Sequence, residues 1–333
     1  MFIIDSYPLA IAFLFVTMLC WGSWSNTQKL VSGSQWPASL FYWDYIIGLV
    51  LCSLILGLTL GSNGSDGRSF IDDLKQSSVE SLQSAFIGGV VFNLSNLLIV
   101  AAIDIAGIAV GIAIGVGIAL VQGVILNYMV DSSANPLLIF GGVALVVAGI
   151  VLSYIANRKL PNQKSASMKG ILVAALSGIV MGFFYRFVAD SISFDFHNLE
   201  VGKLSPYSAV FIFSIGCFVS NFVWNSYFMY FPINGEKATY LDYFTKGNIK
   251  IHTVGILGGL IWNVGMSFSL IASGTAGPTV SYGLGQGATM IAMAWGVFIW
   301  KEFKAAPQGT NKLITAMFLS FLSGIGLIIL AKL

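Results

Sequence analysis

Apolar residues run in blocks along nearly the whole chain, each closed by a short polar or Gly/Pro-rich interval. A helix needs about 20 apolar residues to cross a hydrocarbon layer about 30 Å thick. Ten blocks meet that length, at residues 7–29, 40–60, 82–103, 107–129, 136–156, 169–188, 206–230, 250–272, 277–299 and 311–332. The pattern predicts an all-α, polytopic membrane protein with ten transmembrane helices. Continuous hydrophobicity, not an amphipathic period, carries this assignment, so the block ends are approximate.

The pattern also repeats. The stretch from Phe86 to Tyr128 is echoed, without a gap, 170 residues further on from Ile256. Gly88 and Gly89 fall on Gly258 and Gly259, Asn93 on Asn263, Ala106 and Gly107 on Ala276 and Gly277, and Gly115 on Gly285. Each copy is two apolar segments joined by a few residues, at 104–106 and 273–276, which predicts two antiparallel helical hairpins. Between the copies, residues 158–169 (RKLPNQKSASMK) read as a linker. The expected organisation is therefore a five-helix half at 1–157, a linker at 158–169 and a second five-helix half at 170–333. Five is odd, so the halves have opposite orientations: an inverted five-plus-five repeat, the architecture of many secondary transporters. Gly107, Gly111 and Gly115 lie along one helix face, as do Gly277, Ser281 and Gly285. Such faces serve either static close packing or the sliding of one hairpin on another.

Charge orients the chain. Lys29, Arg158, Lys159, Lys164, Lys169, Lys237, Lys246, Lys250, Lys301, Lys304 and Lys312 fall on one side; Arg68, Lys75, Lys203 and Lys332 fall on the other, with Arg186 near its edge. The positive-inside rule puts the first side in the cytoplasm and both termini outside, in a cell (inner) membrane. The N-terminal block lacks a basic flank and a small-residue cleavage site, so it reads as a retained span. Only 9% of residues are charged and the net charge is +2, which points away from a nucleic-acid partner. Cys20, Cys52 and Cys217 lie in apolar blocks and read as small buried hydrophobes. There is no HExxH, Walker loop, CxxC or nucleophile motif, and no cofactor is expected, so the chain does not read as an enzyme. His197 and His252 fall in or near loops.

Polar groups inside hydrocarbon are costly and mark candidate chemistry. Asn93 and Asn263 sit near the middle of their blocks, with Asn96 about one turn from Asn93. Tyr282 and Gln286 lie one turn apart in the ninth block, and Trp21 in the first. Amides offer donors and acceptors together, which suits a sugar hydroxyl or a urea-like amide, and an aromatic ring offers a wall for the apolar face of a pyranose. These six form the candidate solute site; for the asparagines the alternative is an interhelical hydrogen bond worth ~1 kcal/mol. Trp24 fits an interfacial belt better than Trp21 does, while Gln122, Trp224 and Asn225 are weaker candidates. Asp104 and Asp131 are expected to be solvated, and Arg186 to snorkel. Asp44, between Trp43 and Tyr45, is the one acid placed inside a span. A carboxyl in an apolar setting takes up a proton more readily, so Asp44 is the candidate proton-coupling group.

Several short motifs carry a family likeness: Cys20-Trp-Gly-Ser-Trp24, Trp43-Asp-Tyr45, Gly107-Ile-Ala-Val-Gly-Ile-Ala-Ile-Gly115, Gly258-Gly-Leu-Ile-Trp262 and Gly296-Val-Phe-Ile-Trp-Lys-Glu302. With them the chain resembles the drug/metabolite transporter superfamily, in the branch holding the bacterial glucose/ribose porters, the rhamnose–proton symporters and the plant ureide permeases. The stretch from Pro37 to Tyr45 leans towards the ureide permeases. The fourth block and Gly258–Trp262 lean towards the rhamnose symporters. The resemblance implies ten spans, an inverted repeat and secondary transport of a small polar metabolite. The first expectation is proton-coupled monosaccharide uptake by alternating access, in a monomer or weak homodimer. The alternatives are a ureide, nucleobase or nucleoside permease, a drug or metabolite exporter or, in a different class, a membrane sensor or scaffold.

Overall fold

The computed structural model describes residues 1–31, 36–64, 66–161, 167–233 and 236–333. Lys164 and the middle of the expected linker lie outside the described residues. The elements are α1 (Tyr7–Ser23), α2 (Asn26–Val31), α3 (Ala38–Leu58), α4 (Phe70–Gln76), α5 (Val79–Ala106), α6 (Ile108–Gly111), α7 (Gly117–Tyr128), α8 (Pro136–Arg158), α9 (Met168–Ser191), α10 (Pro206–Tyr230), α11 (Tyr240–Lys246), α12 (Ile249–Ala276), α13 (Pro278–Gly285), α14 (Ala288–Ala294) and α15 (Thr310–Leu330). One π-helical turn, 112–116, joins α6 to α7, and another, 295–299, follows α14. Among the described residues there is no strand, only an isolated bridge between Ile192 and Leu204.

Several helix starts are written locally. Pro136, Pro206 and Pro278 each open a helix, where a missing N–H costs nothing. Asn135 and Ser205 cap their helices by accepting from the backbone of Leu137 and Ser208. Nine helices among the described residues are long and apolar enough to cross a membrane. The expected ninth span, 277–299, is helical in pieces: α13 stops at Gln286 and Gly287, and α14 restarts at Ala288. Glycine after a polar residue interrupts the ladder there, so no single piece reaches spanning length.

The expected hairpin links are shorter than the sequence suggested. Residues 104–106 and 273–276 remain helical, and the chain turns on one residue, Gly107 (φ 89°) or Gly277 (φ 79°). That backbone region penalises a Cβ, so glycine recurs there in both copies. Gly107 is therefore the turn residue, not the first member of a packing face.

The chain divides into two compact units: Met1–Leu94 with Phe184–Thr275, and Ser95–Phe183 with Ala276–Leu333. Each takes segments from both sequence halves. In the first, α3 packs on α10 and α12. A methyl group at Gly259 would overlap the carbonyl of Tyr45, and one at Gly48 the carbonyl of Ile256. At the counterpart contact, a methyl at Gly89 would overlap the carbonyl of Phe213, and one at Gly216 that of Phe86. The two glycine pairs thus close the α12–α3 and α5–α10 contacts in the same way. In the second unit, α8 packs on α15 through Gly142 and Gly324, each facing the other's carbonyl. There α7 meets α13 where the Tyr282 ring fills the space over Gly123.

The 170-residue spacing extends beyond the apolar blocks. Ser69 and Asp72 at the start of α4 correspond to Thr239 and Asp242 at the start of α11. Ser69 accepts from the Asp72 amide, and Thr239 and Asp242 form a reciprocal capping box.

Candidate functional site

Asp44 lies in the second turn of α3, and its side chain is wholly buried. The absence of a side chain at Gly255 lets α12 approach it, since a methyl there would overlap the Asp44 Cβ. Two side chains 199 and 208 residues further along the chain converge on one oxygen. The Tyr243 hydroxyl donates to Oδ1 at 2.5 Å, and His252 Nδ1 lies 2.8 Å from the same atom. Oδ2 has no hydrogen-bond partner among the described residues. The Trp36 ring meets the His252 ring edge-on at 5.4 Å, and the Tyr243 ring lies 4.7 Å from it. Beside them Leu40, Trp43, Met229 and Ala238 form an apolar cluster, with Trp43 Nε1 donating to the Met229 sulfur at 3.2 Å. Burial, and then the hydrogen bond to Asp44, push the Tyr243 phenol well above its ordinary value, so it acts as a fixed donor. His252, expected in or near a loop, is in the first turn of α12.

Asn93 and Asn263 are both fully buried in the first unit. Asn93 accepts from the Tyr42 hydroxyl at 3.0 Å and donates to the Cys217 carbonyl at 3.2 Å and to Ser220 Oγ at 2.9 Å. Asn263 donates to Ser214 Oγ at 3.0 Å and accepts from Ser267 at 3.2 Å. Both amides therefore reach α10. Trp21 is half-buried; its ring stacks on Trp262 at 5.6 Å and its Nε1 donates to the Trp262 carbonyl. Trp262 in turn lies 4.4 Å from Phe92 and 5.9 Å from Phe213. Trp24 packs on Tyr45 at 4.6 Å, and the fully buried Tyr45 hydroxyl has no partner among the described residues.

The second unit holds Asn96, Tyr282 and Gln286. Asn96 is buried, and Tyr282 is fully buried with its hydroxyl donating to the Ala119 carbonyl at 2.9 Å. Gln286 is half-buried at the end of α13, where the helix breaks. The structure thus brings Trp21, Asp44, Asn93 and Asn263 into one unit and the other three into the second. Gln122 Nε2 donates to the Ile179 carbonyl, which fits packing. Arg186, expected to snorkel, pairs with Asp190 one turn along α9. Asp104, expected in a solvated turn, is half-buried in the last turn of α5, and Asp131 lies 3.9 Å from Lys332.

Tyr243, His252 and Trp36 carry no site motif in the sequence. They come from separate stretches, and only the Thr239-x-x-Asp242 cap signals a helix where α11 forms.

A family model described as Ureide permease matches residues 41–163 and 153–331. The chain belongs to the ureide permease family. Ureide permease 1 of Arabidopsis thaliana is 24% identical over 385 residues, covering 98% of each chain. Ureide permease 2 of the same plant is 22% identical over 393 residues, again covering 98% of each. A crystal structure of another protein is 16% identical with a TM-score of 0.60, covering 98% of this chain and 99% of that one, and shows the fold alone. Family membership, with the apolar helices, makes this a multi-pass membrane protein and points to a transporter rather than an enzyme. It favours the ureide, nucleobase or nucleoside alternative and lends monosaccharide uptake no support.

Proposed function

We propose that the protein is a secondary transporter that moves a ureide-class solute across a cell membrane together with protons. Its membership of the ureide permease family is the observation that carries the solute class. The chemistry is compatible. A ureide presents N–H donors and carbonyl acceptors along a flat edge, which suits amide partners and an aromatic wall. The proposed contacts are Trp21, Asn93 and Asn263 in the first unit and, separately, Asn96, Tyr282 and Gln286 in the second. Asp44 is assigned to proton coupling: a wholly buried carboxyl with one oxygen bonded and one unpartnered among the described residues is poised to respond to a proton. The wider placement, in the drug/metabolite transporter superfamily with ten spans as an inverted five-plus-five repeat and alternating access, belongs to the same reading. So do outward termini in an inner membrane and a monomeric or weakly dimeric state.

The test is a thermal-shift series on purified protein with allantoin, uracil, a nucleoside and monosaccharides. A ligand at 100 times its Kd stabilises the folded form by about 2.7 kcal/mol. Ureides or nucleobases are expected to raise the melting temperature and sugars to leave it unchanged; the reverse ranking would overturn the solute assignment. Asn93→Ala and Asn263→Ala extend the series. If these amides meet solute, each loses about 1–3 kcal/mol of binding, roughly 5- to 150-fold in Kd. A lowered melting temperature with unchanged affinity removes them from the site and leaves them as packing groups.

A further inference from the structure

We propose that the coupling proton is held by His252, on Nε2, and that Asp44 and Tyr243 are the fixed partners that position its ring. This rests on the proton-coupled reading above and names the group that titrates. Asp44 is sealed, with none of its side chain exposed, whereas 26% of the His252 side chain reaches the surface. The imidazole is thus the member of the pair that lies nearer the protein surface. With Oδ1 accepting from both Tyr243 and His252, the hydrogen on the imidazole resides on Nδ1. Nε2 then carries the free lone pair. Hydronium gives one proton to Nε2, an N–H bond forms, and water is left. The pair passes from carboxylate with neutral imidazole, net charge −1, to carboxylate with imidazolium, net charge zero. A neutral pair costs less to keep away from water than a lone anion. The loaded form is thus the one better suited to an occluded state.

His252 Nε2 packs against Gly247, where a methyl group would overlap it. Trp36 and Tyr243 pack on the ring and limit its rotation. The titratable groups bonded to this pair are Asp44 and Tyr243 themselves. On α11, Asp242 and Lys246 pair with each other at 2.8 Å, and on its own helix Lys250 is exposed.

The chain has two histidines, so His197→Gln leaves His252 as the single imidazole. Nitrogen-15 NMR of that protein in detergent, titrated between about pH 5 and 8, should show Nε2 gaining a proton while Nδ1 keeps its own. In proteoliposomes, His252→Gln, which keeps a side-chain donor, should lose pH-gradient-driven accumulation of radiolabelled allantoin and the pH dependence of uptake. Gly247→Ala removes no titratable group; its backbone (φ −73°) suits alanine, and its methyl, pressing on the His252 ring and the Tyr243 carbonyl, should shift the pH profile by displacing the pair's partners. A His252→Gln protein that still accumulates allantoin against its gradient would overturn the proposal, as would an Nε2 that never titrates. If Asp44→Asn loses accumulation and His252→Gln does not, the proton sits on the carboxyl and only this inference falls. If neither loses it, the proton-coupled reading falls as well.

Discussion

Two buried carboxylates in the first unit have the same exposure and opposite settings. Asp73, in α4, accepts from Arg68 Nε at 3.0 Å, from the Ser205 amide at 2.7 Å and from Gln76 at 3.3 Å. Arg68 also donates to the carbonyls of Leu199, Glu200 and Lys203, so one acid anchors a whole connection. Every donor around Asp73 is permanent, because arginine, a backbone amide and a primary amide do not titrate near neutrality. Asp44, in α3, has a phenol and an imidazole on one oxygen and nothing among the described residues on the other. At the position 170 residues after Asp73 stands Tyr243, which serves Asp44. The difference teaches that burial alone does not mark a functional acid. Saturation by fixed donors makes a carboxylate a rivet; a titratable partner and an unpaired oxygen make it a switch.

Arg68→Ala should break the rivet. Removing one partner of a buried ion pair strands the other, at about 3–5 kcal/mol. Chemical denaturation or thermal melting in detergent would read the loss, and the fraction that folds should keep its pH-driven uptake. A stable Arg68→Ala protein with lost coupling would erase the distinction between the two acids.

A smaller effect is expected at the glycine contacts. Gly89→Ala and Gly259→Ala each force a methyl into a facing carbonyl, an overpacking cost of about 1–3 kcal/mol. Because the contacts match, the two losses should be similar, and unequal losses would show that the 170-residue echo does not extend to energetics. Melting curves of both variants provide the comparison.

The sequence makes the apolar spans legible because hydrocarbon imposes length and composition on each segment separately. Asn93, Asn263 and Asp44 stand out for the same reason, as polar groups where polarity is costly. What the spans meet is not local. Tyr243 and His252 lie 199 and 208 residues from Asp44, and neither forms a motif with it. The polar stretch around α11 reads as a loop, although its seven residues fold as a capped helix. Asp73 was hidden likewise, in a charged interval whose acid turns inward to Arg68. The ninth span reads as continuous because hydropathy averages over Gln286 and Gly287, where the helix breaks.

The most direct test is proton movement itself. Liposomes holding the purified protein and a trapped pH-sensitive dye are given external allantoin with no imposed gradient. The wild-type protein should acidify the lumen as the ureide enters. Asp44→Asn should still exchange labelled allantoin across the membrane while leaving the lumen pH unchanged. Ureide entry without acidification by the wild type, or equal acidification by Asp44→Asn, would contradict proton-coupled transport that depends on the Asp44–His252 pair.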